Sequence, residues 1–261
     1  MSSGSQEPRA LRGLGWVIPI ALVLALQLLA TREGAPRYVV SPVQIGQTLW
    51  DLAASGELLQ DALASLRRSL SGFVIGGVIG IGLGLACSVI RPLQAFFDPL
   101  VSMTYPVPKV ALLPVVITWL GFGDASKIAI ISLAVFFPTF INAMYGSRGI
   151  NARWIWSARN MGATRAQVFW RVIAPSSMPH LFNGLRSGLA LSYVVLFAAE
   201  MVGAKNGLGN LIMKAEENMR FDLMYAAILT IGLIGFASDR ALLALRRHVL
   251  AGKFPGEGRH A

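Results

Sequence analysis

Residues 70–90 run for 21 positions without a charged side chain. A helix of about 20 apolar residues crosses the hydrocarbon core of a bilayer, because its backbone donors and acceptors are all bonded within the segment. Few folds remain open to a chain with such a stretch. Five further apolar runs follow the same logic, at 14–30, 98–120, 128–145, 181–199 and 223–245. Counting all six in chain order, the first is short, the third is broken by Pro99, Pro106, Pro108 and Pro114, and the fifth is interrupted by Arg186. Composition agrees: 14% of residues are charged and 54% hydrophobic, whereas soluble domains are about a quarter charged. The expected class is an all-α integral membrane protein with about six transmembrane helices.

No A-x-A-like site follows 14–30, so an uncleaved first span is expected. After it, 31–68 is polar. Ser41-Pro42 is a start signal for a helix near 43–54, and an amphipathic piece over 57–68 leads back to the membrane. The expected organisation is a tail, first span and outer linker over 1–62, a core over 63–246, and a tail over 247–261. The end stretches MSSGSQEPRALR and GKFPGEGRHA read as flexible.

The net charge of +10 invites a nucleic-acid reading, but its distribution answers otherwise. With the N-terminus inside, the inner segments hold twelve Lys/Arg and two acids, Glu7 and Glu257, while the outer ones hold eight Lys/Arg and nine acids. That bias has the sign of the positive-inside rule and puts both termini in the cytoplasm. Anionic lipid then accounts for the charge, in an inner-membrane, multi-pass protein.

Catalytic constellations are missing from the sequence. Cys87 sits in an apolar run as a small core or lipid-facing residue, and His180, His248 and His260 have no partner at metal-ligand spacing. There is no G-x-x-x-x-G-K-[ST] and no nucleophile elbow. The chain reads as neither an enzyme nor a metal or cofactor protein. If ATP drives it, another subunit hydrolyses the ATP.

Gly72, Gly76, Gly80 and Gly84 recur every fourth residue and share one helix face. A neighbouring backbone can approach them closely, within one subunit or between two. The third span is chemically odd. YPVPKVALLP, with Tyr105, Pro106, Pro108 and Lys109, frees carbonyls at membrane depth, which is tolerated only inside protein or along a cavity. Lys109 there either faces a translocation pathway, where it favours anions, or snorkels, or pairs with an acid. Asp98 and Glu200 are candidate partners for it or for Arg186.

Between the fourth and fifth spans lies a basic island, NARWIWSARNMGATRAQVFWRVIAP, at 151–175. Counting Arg148 just before it, it carries Arg153, Arg159, Arg165 and Arg171 and no acid. It reads as a short helix, a break at Gly162, and a second helix ending at Pro175. The spacing of Ala158, Gly162, Val172 and Pro175 resembles the EAA loop of permease subunits of binding-protein-dependent ABC importers. ASGELLQDALASLRRSLSGFVIGG, YPVPKVALLPVVITWLGFGDASK, FFPTFINAMYGSRGI and AEMVGAKNGLGNLI resemble, in order, successive blocks of the sulfonate/taurine/nitrate/bicarbonate branch, so the likeness spans about 38–245.

The resemblance implies a type I importer permease with a MetI-like fold. It implies a second permease subunit, expected to be identical, a cytoplasmic ABC ATPase dimer, and an outer substrate-binding protein, free or lipid-anchored. Trp156, Ser157, Ala158, Arg159, Gly162, Ala163, Thr164 and Pro175 would form the ATPase-coupling elbow, with Gly162 its hinge. Residues 201–211, with Gly207, Leu208 and Gly209, would be the outer loop near the binding protein. The implied cargo is a small anion, a sulfonate or taurine first, with nitrate, bicarbonate and heterocyclic vitamin precursors in the same family. The rival class is an ion-coupled carrier or channel, which would be expected to bring paired intramembrane acids. One departure stands out: the family's opening glutamate is Trp156 here, so the receiving groove is expected to be more acidic or more aromatic.

Overall fold

The computed structural model describes residues 9–250, with side chains from residue 17 onward. Among these, the regular elements are helices: α1 (Arg9–Ala30), α2 (Pro42–Ser55), α3 (Glu57–Val89), α4 (Arg91–Thr104), α5 (Leu113–Leu120), α6 (Asp124–Arg148), α7 (Ala152–Asn160), α8 (Arg165–Val168), α9 (Ala174–Met201), α10 (Leu208–Glu217) and α11 (Phe221–Leu250). A 3-10 turn at Lys109–Leu112 leads into α5, and a π turn at Phe169–Ile173 joins α8 to α9. Residues 9–12, read as part of a flexible tail, begin α1, and 247–250 end α11; the rest of both expected tails lies outside the described residues.

Four described helices are long and apolar enough to cross a membrane: α3, α6, α11, and the 37-residue rod from α8 through α9. The pair α4–α5, bent by 93°, makes a fifth, broken span. The apolar part of α1, Val17–Ala30, is shorter. Together these are the six expected runs.

Two helices run on through a boundary that the sequence suggests. The amphipathic piece at 57–68 and the span at 70–90 are one 33-residue helix, α3, so the division at 62/63 falls within it. The only punctuation is Gly56, in the left-handed region at φ 81°, which ends α2. Nothing after it breaks the helical path. Nor does Pro175 end a helix. Proline lacks the N–H of an ordinary turn and its ring crowds the carbonyl four residues back. The π turn absorbs that conflict: the Ala174 N–H reaches back to the Phe169 carbonyl, and the rod continues to Met201.

α6 is the axis of the bundle, with Ile130, Ile131, Val135 and Phe140 fully buried. One core cluster joins it to α5 and α9 through Leu113, Ile117, Val195 and Leu196. Another joins it to α3 and α4 through Cys87, Val101, Phe137 and Met144. Lipid is as apolar as leucine, so such helices associate by close packing and polar bonds rather than by escape from water. The glycine stripe of α3 supplies the packing. A Cβ at Gly76 would run into the backbone of Ser132, and one at Gly80 would meet the Thr139 side chain and lie 2.7 Å from the Phe136 carbonyl. Gly72 and Gly84 face Ile131 and the Phe140 carbonyl in the same way. All four face α6 of the same chain.

Candidate functional site

The bundle has a basic end, carrying the 151–175 island, and a far end where α3, α6 and α11 begin. At the basic end, Asn151 caps α7, and its side chain accepts from the Arg153 N–H. The helix closes on Gly162 at φ 82°. The Gly162 N–H reaches the Arg159 carbonyl at 2.9 Å, and the Ala163 N–H reaches the Ala158 carbonyl at 3.0 Å. This is a Schellman closure, whose left-handed residue is most cheaply a glycine. Thr164 then caps α8 with a reciprocal bond to Gln167. Two helix ends are thus locked around a three-residue elbow.

The elbow is open outward. Trp154, Trp156, Met161 and Trp170 are all more than half exposed. Ser157, Arg159 and Ala163 share the segment with Ala158, which is buried. A cavity of about 470 Å³ runs along Ala158, Met161, Gly162, Ala163, Gln167, Arg171 and Val172. None of Arg148, Arg153, Arg159, Arg165 and Arg171 has an ion-pair partner among the described residues.

Lys109 sits at the break between α4 and α5, and neither expected acid reaches it. Its Nζ donates to the carbonyls of Thr104 at 2.7 Å, Tyr105 at 3.0 Å and Val107 at 2.7 Å. It also stands 4.1 Å above the Phe137 ring. An ammonium has three protons, and all three go to carbonyls of the proline-broken stretch that follows α4 or ends it. Lys109 is the cap of the broken helix. Tyr105 ends α4 beside Phe137, with ring centroids 6.4 Å apart.

The acids go elsewhere. Asp98 accepts from the Tyr145 hydroxyl. Arg186 forms a two-pronged pair with Asp239, Nε to Oδ1 at 2.7 Å and Nη2 to Oδ2 at 3.1 Å. Glu200 pairs with Arg68 at the far end.

That far end holds a buried polar cluster. Arg68 Nη1 meets Glu200 Oε1 at 2.7 Å and its Nε meets Asp124 Oδ1 at 2.7 Å. The same guanidinium donates to the Asn206 carbonyl at 2.8 Å and to its side-chain oxygen. Gly207, Leu208 and Gly209 open α10, and their N–H groups are the orphan donors of a helix start. They donate to Asp61 Oδ1 at 2.6 Å, Ser65 Oγ at 2.9 Å and Glu200 Oε2 at 3.0 Å. Lys127, fully buried, donates to the carbonyls of Phe122 and Gly123. One set of bonds therefore ties α3, α6, α9 and α10 together. Residue-by-residue reading missed Asp61, Ser65, Arg68, Asn206 and Lys127; the available signal was a charge beside an apolar run with no partner nearby in sequence.

Residues 76–250 match the family model described as binding-protein-dependent transport system inner membrane component. The chain belongs to that family. This permease is 34% identical to the taurine transport system permease protein TauC of Escherichia coli over 232 residues, 87% of this chain and 82% of TauC. It is 35% identical to the putative aliphatic sulfonates transport permease protein SsuC of the same organism, over 91% of this chain and 90% of that one. In fold, it resembles a chain of the inward-facing MetNI methionine ABC transporter with a TM-score of 0.59 at 21% identity, covering 72% of this chain and 95% of that one. The bundle is thus the MetI-like permease fold, and this protein is the integral-membrane permease of an ABC importer, a class whose ATPase and substrate-binding protein are separate partners.

Proposed function

We propose that this permease forms the pathway for a small organic anion of the sulfonate class, with taurine and alkanesulfonates first. The observation that carries the reading is its similarity to taurine and sulfonate permeases along nearly the whole of both chains. In this reading the basic end lies in the cytoplasm with both termini, in line with the distribution of arginine and lysine. Two copies of the chain make the pathway. A cytoplasmic ATPase dimer hydrolyses ATP, and the permease itself binds no cofactor.

The 151–175 segment is the coupling element, with Trp156, Ser157, Ala158, Arg159, Gly162, Ala163, Thr164 and Pro175 transmitting the ATPase stroke. Support comes from the doubly capped elbow, its outward tryptophans and its unneutralised arginines. The far-end loop at Gly207, Leu208 and Gly209 receives the substrate-binding protein. The break at Tyr105, Pro106, Pro108 and Lys109 lines the route. Against the ion-coupled carrier stands the tying-up of Glu200 by Arg68, Ser65 and a backbone N–H. That leaves it no role as a free coupling acid.

The test is uptake of labelled taurine and of a short alkanesulfonate by proteoliposomes holding the permease, its ATPase and its binding protein. ATP-dependent uptake of either is expected. Uptake of neither, beside ATP-dependent uptake of a neutral solute, sinks the substrate reading.

A further inference from the structure

We infer that Arg186, poised on Asp239, is the anion-recognition residue of the translocation pathway, and that the unpartnered α9–α11 face around it is the pathway wall. The inference rests on the organic-anion reading above and adds the site.

The first observation is depth. Arg186 lies on the same helix as Glu200 of the far-end cluster, roughly 21 Å away at about 1.5 Å per residue. Arg186 and Asp239 also stand five and six residues in from the basic ends of the 181–199 and 223–245 runs, about 8–9 Å at that rise, in a hydrocarbon core about 30 Å thick. The second is exposure. The Arg186 side chain is 54% exposed and that of Asp239 27%. A charged pair facing acyl chains at that depth is costly, and charged residues in spans turn to water-filled cavities or to other protein.

The third observation is the company Arg186 keeps. Asn183 and Ser187, also exposed, lie on the same side of α9, and Arg246 of α11 reaches Asn183 at 3.4 Å. By contrast, the exposed positions of α3 include Val74, Ile75, Val78 and Ile79, and those of α11 further from the pair include Ile228, Leu229 and Leu233. Those surfaces suit lipid. The part of the α9–α11 face around Asn183, Arg186, Ser187 and Asp239 suits water and a polar solute, and it turns apolar toward Val194 and Phe236.

Donor arithmetic then separates Arg186 from Lys109. The three lysine protons are taken by three carbonyls. A guanidinium has five N–H donors in a fixed fork, and Asp239 takes two of them. Three stay available to a tetrahedral oxyanion such as a sulfonate, which suits forked recognition. Asp239 keeps the pair neutral when no substrate is there. It also competes with the anion, so binding is weak enough for release, as conduction requires.

The experiment uses the assembled importer in proteoliposomes. Arg186→Gln is expected to lower kcat/KM for sulfonate uptake at least tenfold, with the ATPase still co-purifying. Arg186→Lys, which keeps the charge but not the fork, is expected mainly to raise KM. The neutral pair Arg186→Gln/Asp239→Asn is expected to stay as defective as Arg186→Gln alone. Wild-type uptake by that double variant overturns the inference while leaving the sulfonate reading intact. No sulfonate uptake by the unmodified importer sinks the underlying reading and this one with it.

A second measurement covers misfolding. Ser187→Cys should react with 2-sulfonatoethyl methanethiosulfonate, itself a small sulfonate, and taurine or alkanesulfonate should slow the reaction. Cys87 is buried at 1% exposure and gives little background. No labelling of Ser187→Cys in either nucleotide state overturns the placement on the pathway wall.

Discussion

The two ends of the bundle handle charge in opposite ways. At the far end Arg68 is 4% exposed and Glu200 fully buried, and each finds its counter-charge within the chain. At the basic end, none of the five arginines from Arg148 to Arg171 is ion-paired among the described residues. A buried charge must be matched where it lies, whereas an exposed one can wait for another molecule. The far end is therefore built as a clamp and the basic end as a contact surface. The same logic explains the glycines. Gly72, Gly76, Gly80 and Gly84 are required because α6 is pressed against them, while Gly162 has nothing within 4 Å of a Cβ and is required by its φ alone.

The comparison breaks most visibly at Glu200. Glu200→Ala leaves Arg68 buried beside Asp124 alone and strips an acceptor from Ser65 and from the Gly209 N–H. A loss of about 3–5 kcal/mol is expected for removing one partner of a buried pair, read as a large fall in the unfolding temperature of the purified permease. Unchanged stability would show that water reaches the cluster. Gly76→Val attacks the same body by volume. With Ser132 backbone in the way, α3 and α6 must part, at a cost of about 1–3 kcal/mol or more; the expected readout is lost unfolding cooperativity or lost membrane-inserted protein.

At the basic end the effects should move from stability to coupling. Gly162→Ala forces an ordinary residue into the left-handed region, at about 1–2 kcal/mol locally. Bundle stability should hold while uptake per ATP falls, and Gly162→Pro, whose ring forbids that φ, should uncouple fully. Normal coupling in the proline variant would remove 151–175 from the drive train. The smallest effect belongs to the arginines: replacing Arg159 by Gln should weaken ATPase binding a few-fold and flatten its salt dependence, because exposed charges are screened beyond about 8 Å at physiological ionic strength. An unchanged salt response would show that the tryptophans, not the charges, make the contact.

Much of this was legible in the sequence. Apolar run length located the spans, the four-residue spacing of glycines located the α3 seam, and the Gly162 break located the elbow. The reading erred where a local signal competed with a longer helix. Pro175 marks a helix end by propensity, yet a π turn carries the rod through it. Charge partners were the other gap. For Lys109 an acid was one of three expected settings, but the carbonyls of its own broken helix take its protons.

The sequence by itself determined the class and the place of the apolar runs, because bilayer thickness and backbone bonding act on contiguous stretches, and its motifs pointed to the family. Tertiary structure alone decided which charge meets which. Arg68 with Glu200, and Arg186 with Asp239, are pairs brought together from distant helices. Local periodicity carries no record of such a partner, since it is the packing of α3, α6, α9 and α11 that sets the distance.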